Sequence, residues 1–118
     1  MGLDISFVAC PRDDITEAGA FRKVNALLQW VNNNVMAVAN CAYIPISKED
    51  LEKLQGTLNQ LTTDNCQELF PTQEGFFYGS TEYDEHYWED VADVKAWVDE
   101  TLAHFEFEEN ILFFSAWW

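Results

Sequence analysis

The chain has 118 residues, 48% of them apolar, with 6 Lys or Arg against 21 Asp or Glu and a formal charge of −15. Five Trp, nine Phe and four Tyr supply the core that acidic disordered chains lack, and the length suits a single domain over residues 1–118. The charge excludes direct contact with nucleic acid or an anionic membrane surface, and it favours cationic partners, a basic protein groove or a metal ion.

In chain order, residues 3–9 (Leu-Asp-Ile-Ser-Phe-Val-Ala) alternate loosely and stop at Pro11, which predicts an edge or near-edge strand. Phe21, Val24, Leu28, Val31 and Val35 recur at helical spacing, predicting a first helix over about residues 16–35 whose last turn Asn32-Asn33-Asn34 weakens. A short extended piece follows at Tyr43-Ile44-Pro45-Ile46. Ser47-x-x-Asp50 then has the form of a capping box ahead of Leu51, Leu54, Leu58 and Leu61 on one stripe. Gly75 and Gly79 bracket Phe76-Phe77-Tyr78, a brief strand, and Ser80 and Thr81 suit a helix cap, Thr81-x-x-Asp84 having the cap spacing. The unbroken apolar run Ile111-Leu112-Phe113-Phe114 predicts a central strand covered on both faces. The elements describe a small α+β domain, about four strands packed by three helices.

The stretch from residue 75 to residue 90 crowds aromatics and carboxylates together, and the third helix separates them. At 100° per residue, Tyr87, Val91, Val94, Val98, Leu102 and Phe105 share a sector of about 80°. Glu82, Glu85, Glu89, Asp93 and Glu100 fall opposite, and Trp88 and Trp97 lie on the flanks. Residues 82–109 hold eleven acids against Lys95. Carboxylates at i,i+4 repel by a few tenths of a kcal/mol each, and a helix built for stability alone would intersperse lysines. The stripe therefore reads as a working negative surface rather than as an ordinary solvated face.

Catalytic patterns are thin. His86 and His104 lack the i,i+4 partner of a zinc pair. A metal-dependent hydrolase site from Asp84, His86 and Asp90 would suit a hard or borderline metal, yet Asp84 and His86 diverge by about 200° on a helix. Ser80 lacks the Gly-x-Ser-x-Gly elbow, and no glycine loop suits a phosphate. Cys10, Cys41 and Cys66, odd in number and widely spaced, fit a reducing compartment, with Cys41 and Cys66 expected as small core residues. No secretory signal or membrane-length apolar run is expected. The opening Met-Gly fits the myristoylation pattern, but a buried strand starting at Leu3 explains it better.

Met1-Gly2-Leu3-Asp4, Phe21-Arg22-Lys23-Val24-Asn25 with Trp30, Cys41-Ala42-Tyr43, the run Phe70-Pro71-Thr72-Gln73-Glu74-Gly75-Phe76-Phe77-Tyr78-Gly79-Ser80-Thr81-Glu82-Tyr83-Asp84-Glu85 and the closing Ser115-Ala116-Trp117 occur in this order. Together they resemble small uncharacterised phage and prophage proteins that open Met-Gly-Leu-Asp-Met-Tyr-Leu and carry a Pro-Thr-Gln-x-Gly-Phe-Phe-Phe-Gly-Ser-Thr-x-Tyr-Asp core. Ile5-Ser6-Phe7 replaces Met-Tyr-Leu, and Phe21 stands where the family tends to have Trp. The resemblance covers nearly the whole chain, residues 71–84 being its specific part. It implies a mobile-element product acting in the cytoplasm of a bacterial host, and it brings no activity.

Origin and charge lead to one expectation. A non-enzymatic anti-defence protein of the anti-CRISPR type would bind a basic nucleic-acid-binding surface of a host Cas effector or another nucleic-acid enzyme. Its acidic helix would imitate DNA, and it would need no cofactor or metal. Glu82, Glu85, Glu89, Asp93 and Glu100 would supply charge, and Tyr83, Trp88 and Trp97 apolar anchors. The rival readings are the hydrolase and a phage regulatory or assembly partner whose acidity serves solubility. Monomer and dimer both stay open.

Overall fold

Four strands pair antiparallel in the order β2-β1-β4-β3, where β1 is Asp4–Cys10, β2 Thr16–Arg22, β3 Tyr43–Ile46 and β4 Ile111–Trp117. The helices are α1 (Asn25–Asn34), α2 (Lys48–Gln60), the single turn α3 (Cys66–Leu69) and α4 (Glu85–His104). The architecture is the expected α+β arrangement. The computed structural model describes residues 3–10, 16–72 and 82–118; the strand expected at residues 75–79 and the cap expected at Ser80 and Thr81 lie outside them.

Period-2 alternation sets the sheet's two faces. Ile5, Phe7 and Ala9 of β1, Leu112, Phe114 and Ala116 of β4, and Ile44 and Ile46 of β3 are buried in one core with α1, α2 and α4. Their neighbours Asp4, Tyr43, Pro45, Ile111 and Trp117 are exposed, and Ser6, Val8, Phe113 and Ser115 are half-buried. β4 is interior, paired with β1 and β3. It is not covered on both faces, however: helices pack on one side, so the run Ile111–Phe114 alternates between water and core. An apolar run marks β4 as a strand, but only the layer count decides how many of its faces are covered.

The first expected helix is also corrected. Residues 16–22 form strand β2, paired with β1 from Asp4↔Arg22 to Ala9↔Thr16 with a bulge at Phe7/Val8, and the helix starts only at Asn25. Lys23 takes a left-handed φ of 58°, which no continuous helix tolerates, and its N–H donates to the Leu3 carbonyl at 2.7 Å. Phe21 therefore projects from a strand, edge-on to Phe7 at 6.2 Å between centroids. The single hydrophobic positions matched helical spacing by coincidence with the true α1 stripe, in which Leu27, Leu28 and Val31 are buried.

The second helix follows its sequence signals closely. Ser47 Oγ accepts from the Asp50 N–H at 3.0 Å, and Asp50 returns the favour to the Ser47 N–H at 3.0 Å; this reciprocal cap fixes the first turn. Leu51, Leu54 and Leu58 are buried, whereas Leu61 ends the helix half-buried. α2 packs against α4, and Gln55 reaches across to Asp99 at 2.7 Å. Cys66 is buried as expected, but Cys41 is exposed. The chain turns there through a φ of 67° on its way into β3, with the Cys41 N–H donating to the Ala116 carbonyl.

Candidate functional surface on the fourth helix

α4 starts at a side-chain cap. Asp84 Oδ1 accepts from the His86 and Tyr87 N–H groups at 3.1 and 3.3 Å, holding a negative charge at the positive helix end. Glu82 and Tyr83 thus precede the helix rather than riding on it. Tyr87, Val91, Val94 and Val98 face the core, Thr101 completes the buried stripe, and Leu102 and Phe105 are half-buried at its end.

Glu82, Glu85, Glu89, Asp93 and Glu100 are all exposed. Within the helix, the side-chain directions at 85, 89, 93 and 100 follow from the same 3.6-residue period that buries the opposite face. Glu89 stands 3.6 Å from His86 Nδ1, and among the described residues no salt bridge engages Glu85, Asp93 or Glu100. The helix presents a rigid row of carboxylates to water.

The three aromatic candidates are placed differently. Trp97 is held within the fold: its indole N–H donates to the Ala18 carbonyl at 2.9 Å, and its ring lies over Phe7 at 4.1 Å. Tyr83 is half-buried; its hydroxyl accepts from the Thr72 N–H at 3.0 Å, and its ring lies 4.9 Å from Tyr87. Trp88 is half-buried and edge-on to Tyr87 at 5.2 Å, which leaves part of its ring beside the acidic row. Tyr87 itself donates to the Phe70 carbonyl at 2.7 Å. Burial, then Cys66 and Tyr83, push its phenol well above the ordinary tyrosine range.

Asp84, His86 and Asp90 do come together, on the wall of a cleft of about 310 Å³ between the start of α4, the segment Phe70–Thr72 and the β2–α1 turn. Arg22 and Lys23 also line it. The sequence placed these two bases in mid-helix and so missed them; the Arg-Lys pair directly after a glycine-containing segment was the available signal. Asp84 is occupied as the helix cap, and among the described residues no group of three or more His, Cys, Asp and Glu is arranged to hold a metal ion. The Asp90 carboxyl titrates above the ordinary range, chiefly because burial penalises its charge, then through Asp93 and Glu89, while His86 opposes the shift and Asp84 adds to it. Arg22 pairs outside the cleft, with Asp4 at 3.9 Å, whereas the outer row faces water. No helix among the described residues is long and apolar enough to cross a membrane.

No family model, curated protein or solved structure matches the chain.

Proposed function

We propose that the chain is a non-enzymatic binding protein whose α4 row of carboxylates occupies a basic, nucleic-acid-binding surface of a host protein. The observation that carries this reading is the exposure of Glu85, Glu89, Asp93 and Glu100 along one side of a 20-residue helix. Neighbouring acids on a helix stand about 5–6 Å apart at Cβ, the scale on which phosphates recur along a nucleic-acid strand. A rigid row of this kind steers toward positive grooves and presents its charge without further ordering. Trp88, partly open beside the row, is the aromatic anchor that charge alone does not supply. Tyr83 and Trp97 support the surface from beneath, since their polar atoms already have partners in the fold.

The resemblance to phage and prophage proteins narrows the partner. It favours an anti-defence role in the bacterial cytoplasm, with a Cas effector as the leading target of the anti-CRISPR type and other host nucleic-acid enzymes behind it. The test is competition. The chain should displace DNA from the effector, and raising salt should weaken it, because screening removes the attraction. Replacing Glu85, Glu89 and Glu100 with Gln and Asp93 with Asn should weaken binding by about tenfold or more, mainly through slower association, and flatten the salt dependence. Stability should rise slightly as i,i+4 repulsion is relieved. A neutralised variant that competes as well and as salt-sensitively as the parent would reduce the row to a solvated face.

A further inference from the structure

We infer that the open face of the sheet is a self-association surface, on which two copies pack sheet against sheet about a two-fold axis. This goes beyond the acidic-helix reading and does not depend on it. The face is apolar at its centre. In register across the strands, Phe113 of β4 lies between Val8 of β1 and Pro45 of β3, and Tyr43 sits edge-on to Phe113 at 6.3 Å. Ile111 and Trp117 extend the patch along β4 and are 55% and 68% exposed, with Tyr43 at 61%. The molecule measures 42 × 30 × 21 Å, and its short dimension accommodates one sheet and one helix layer at about 10 Å spacing, not a third layer.

Charge selects the occupant. By register the charged positions of this face are Asp4 and Arg22, which pair with each other at 3.9 Å in one corner, and Glu17, opposite Val8 on the β2 edge. The chain as a whole carries −15, so a second copy is repelled wherever it meets the helix layer. On the sheet face it meets one acid beyond the Asp4–Arg22 pair, far less charge than the helix layer presents. Sheets stacked about 10 Å apart place the two α4 rows on opposite outer sides, separated by several Debye lengths of about 8 Å. A basic partner, by contrast, gains nothing from this face that α4 does not offer more strongly.

The area fits a weak dimer. Three strands of seven residues and one of four, at about 4.8 Å between strands and about 3.3 Å per residue, give a footprint of roughly 400 Å² per copy. Counting both copies, about 800 Å² lies below the ~1,000 Å² threshold of a stable specific interface, the range of a weak, transient dimer. A two-fold arrangement makes the patch its own complement.

Sedimentation equilibrium between about 10 μM and 1 mM, at low and high NaCl, tests the proposal. The parent should be in monomer–dimer equilibrium, and salt should tighten it by screening the like charges of the two copies. Tyr43→Glu/Trp117→Glu should weaken association at least about tenfold. Ala92→Glu/Ala96→Glu, which adds the same charge to exposed helix positions, should change it far less. Circular dichroism and melting confirm that each variant is folded, and Ile111→Asp replaces the double variant if that one is not. A parent that stays monomeric at 1 mM overturns the proposal. So does a dimer untouched by the face substitutions, which uses another surface, or one that salt dissociates. Capture of a different protein by a monomeric parent but not by the face variant assigns the face to that protein and also overturns it.

Discussion

Asp90 shows how position on a helix becomes titration behaviour. It lies between the buried stripe and the exposed row, so its carboxyl is partly desolvated and has Asp93 and Glu89 as neighbours. A carboxyl raised in the folded state binds its proton more tightly there than in the unfolded chain. Over the pH window between the two values the folded state therefore holds more protons, and stability falls as pH rises through it. Asp90→Asn, which cannot charge, should be the more stable protein at neutral pH. The gain should stay below about 1 kcal/mol because solvent still screens a half-exposed group, and it should vanish below the ordinary carboxylate range. Urea unfolding of both proteins at pH 3.5 and pH 7 measures the difference; a variant equally or less stable at pH 7 refutes the argument. None of this was readable from an acid in an acidic stretch, since burial set the shift.

At the scale of elements, the contact of β2 with α4 explains why residues 16–22 are a strand. Thr-Glu-Ala-Gly-Ala-Phe-Arg has little strand propensity of its own, and its hydrophobic spacing suits a helix equally well. What tips it is Gly19, paired with Phe7, above which the Trp97 ring lies. A Cβ at Gly19 would come within 2.7 Å of Trp97 Cε2. Gly19→Ala should accordingly cost about 1–3 kcal/mol by overpacking, read from the urea midpoint. In a Trp97→Leu background, itself destabilised, the same substitution should cost little, so the pair should show strong coupling in a double-mutant cycle. Equal costs in both backgrounds would mean that the indole does not set the spacing. The capped helices needed no such help: Ser47 with Asp50, and Asp84 at the start of α4, have local partners and were legible from spacing alone.

For the whole molecule, charge is the dominant global property. Twenty-one acids against six bases repel one another more in the compact state than in the expanded one. Raising NaCl from about 10 to 300 mM shortens the Debye length from about 30 Å to less than 8 Å. The melting temperature at low micromolar protein, below the proposed dimerisation range, should then rise by several degrees, about 1 kcal/mol for a domain of this size. A flat or falling melting temperature would show that the acids are too far apart to matter. Local signals along the chain carried the α+β class, the apolar stripe of α4 and its acidic outer row, the α2 capping box, and β3 and β4 as strands. Each of these rests on residue period or on contacts three or four positions apart. Contacts between segments far apart in the chain set the rest. They made residues 16–22 a strand, anchored Trp97 to Ala18 across 79 positions, brought Arg22 and Lys23 into one cleft with Asp90, and left one face of β4 open. Those outcomes depend on which segments meet in space and how many layers cover the sheet, and no periodicity along the chain encodes either.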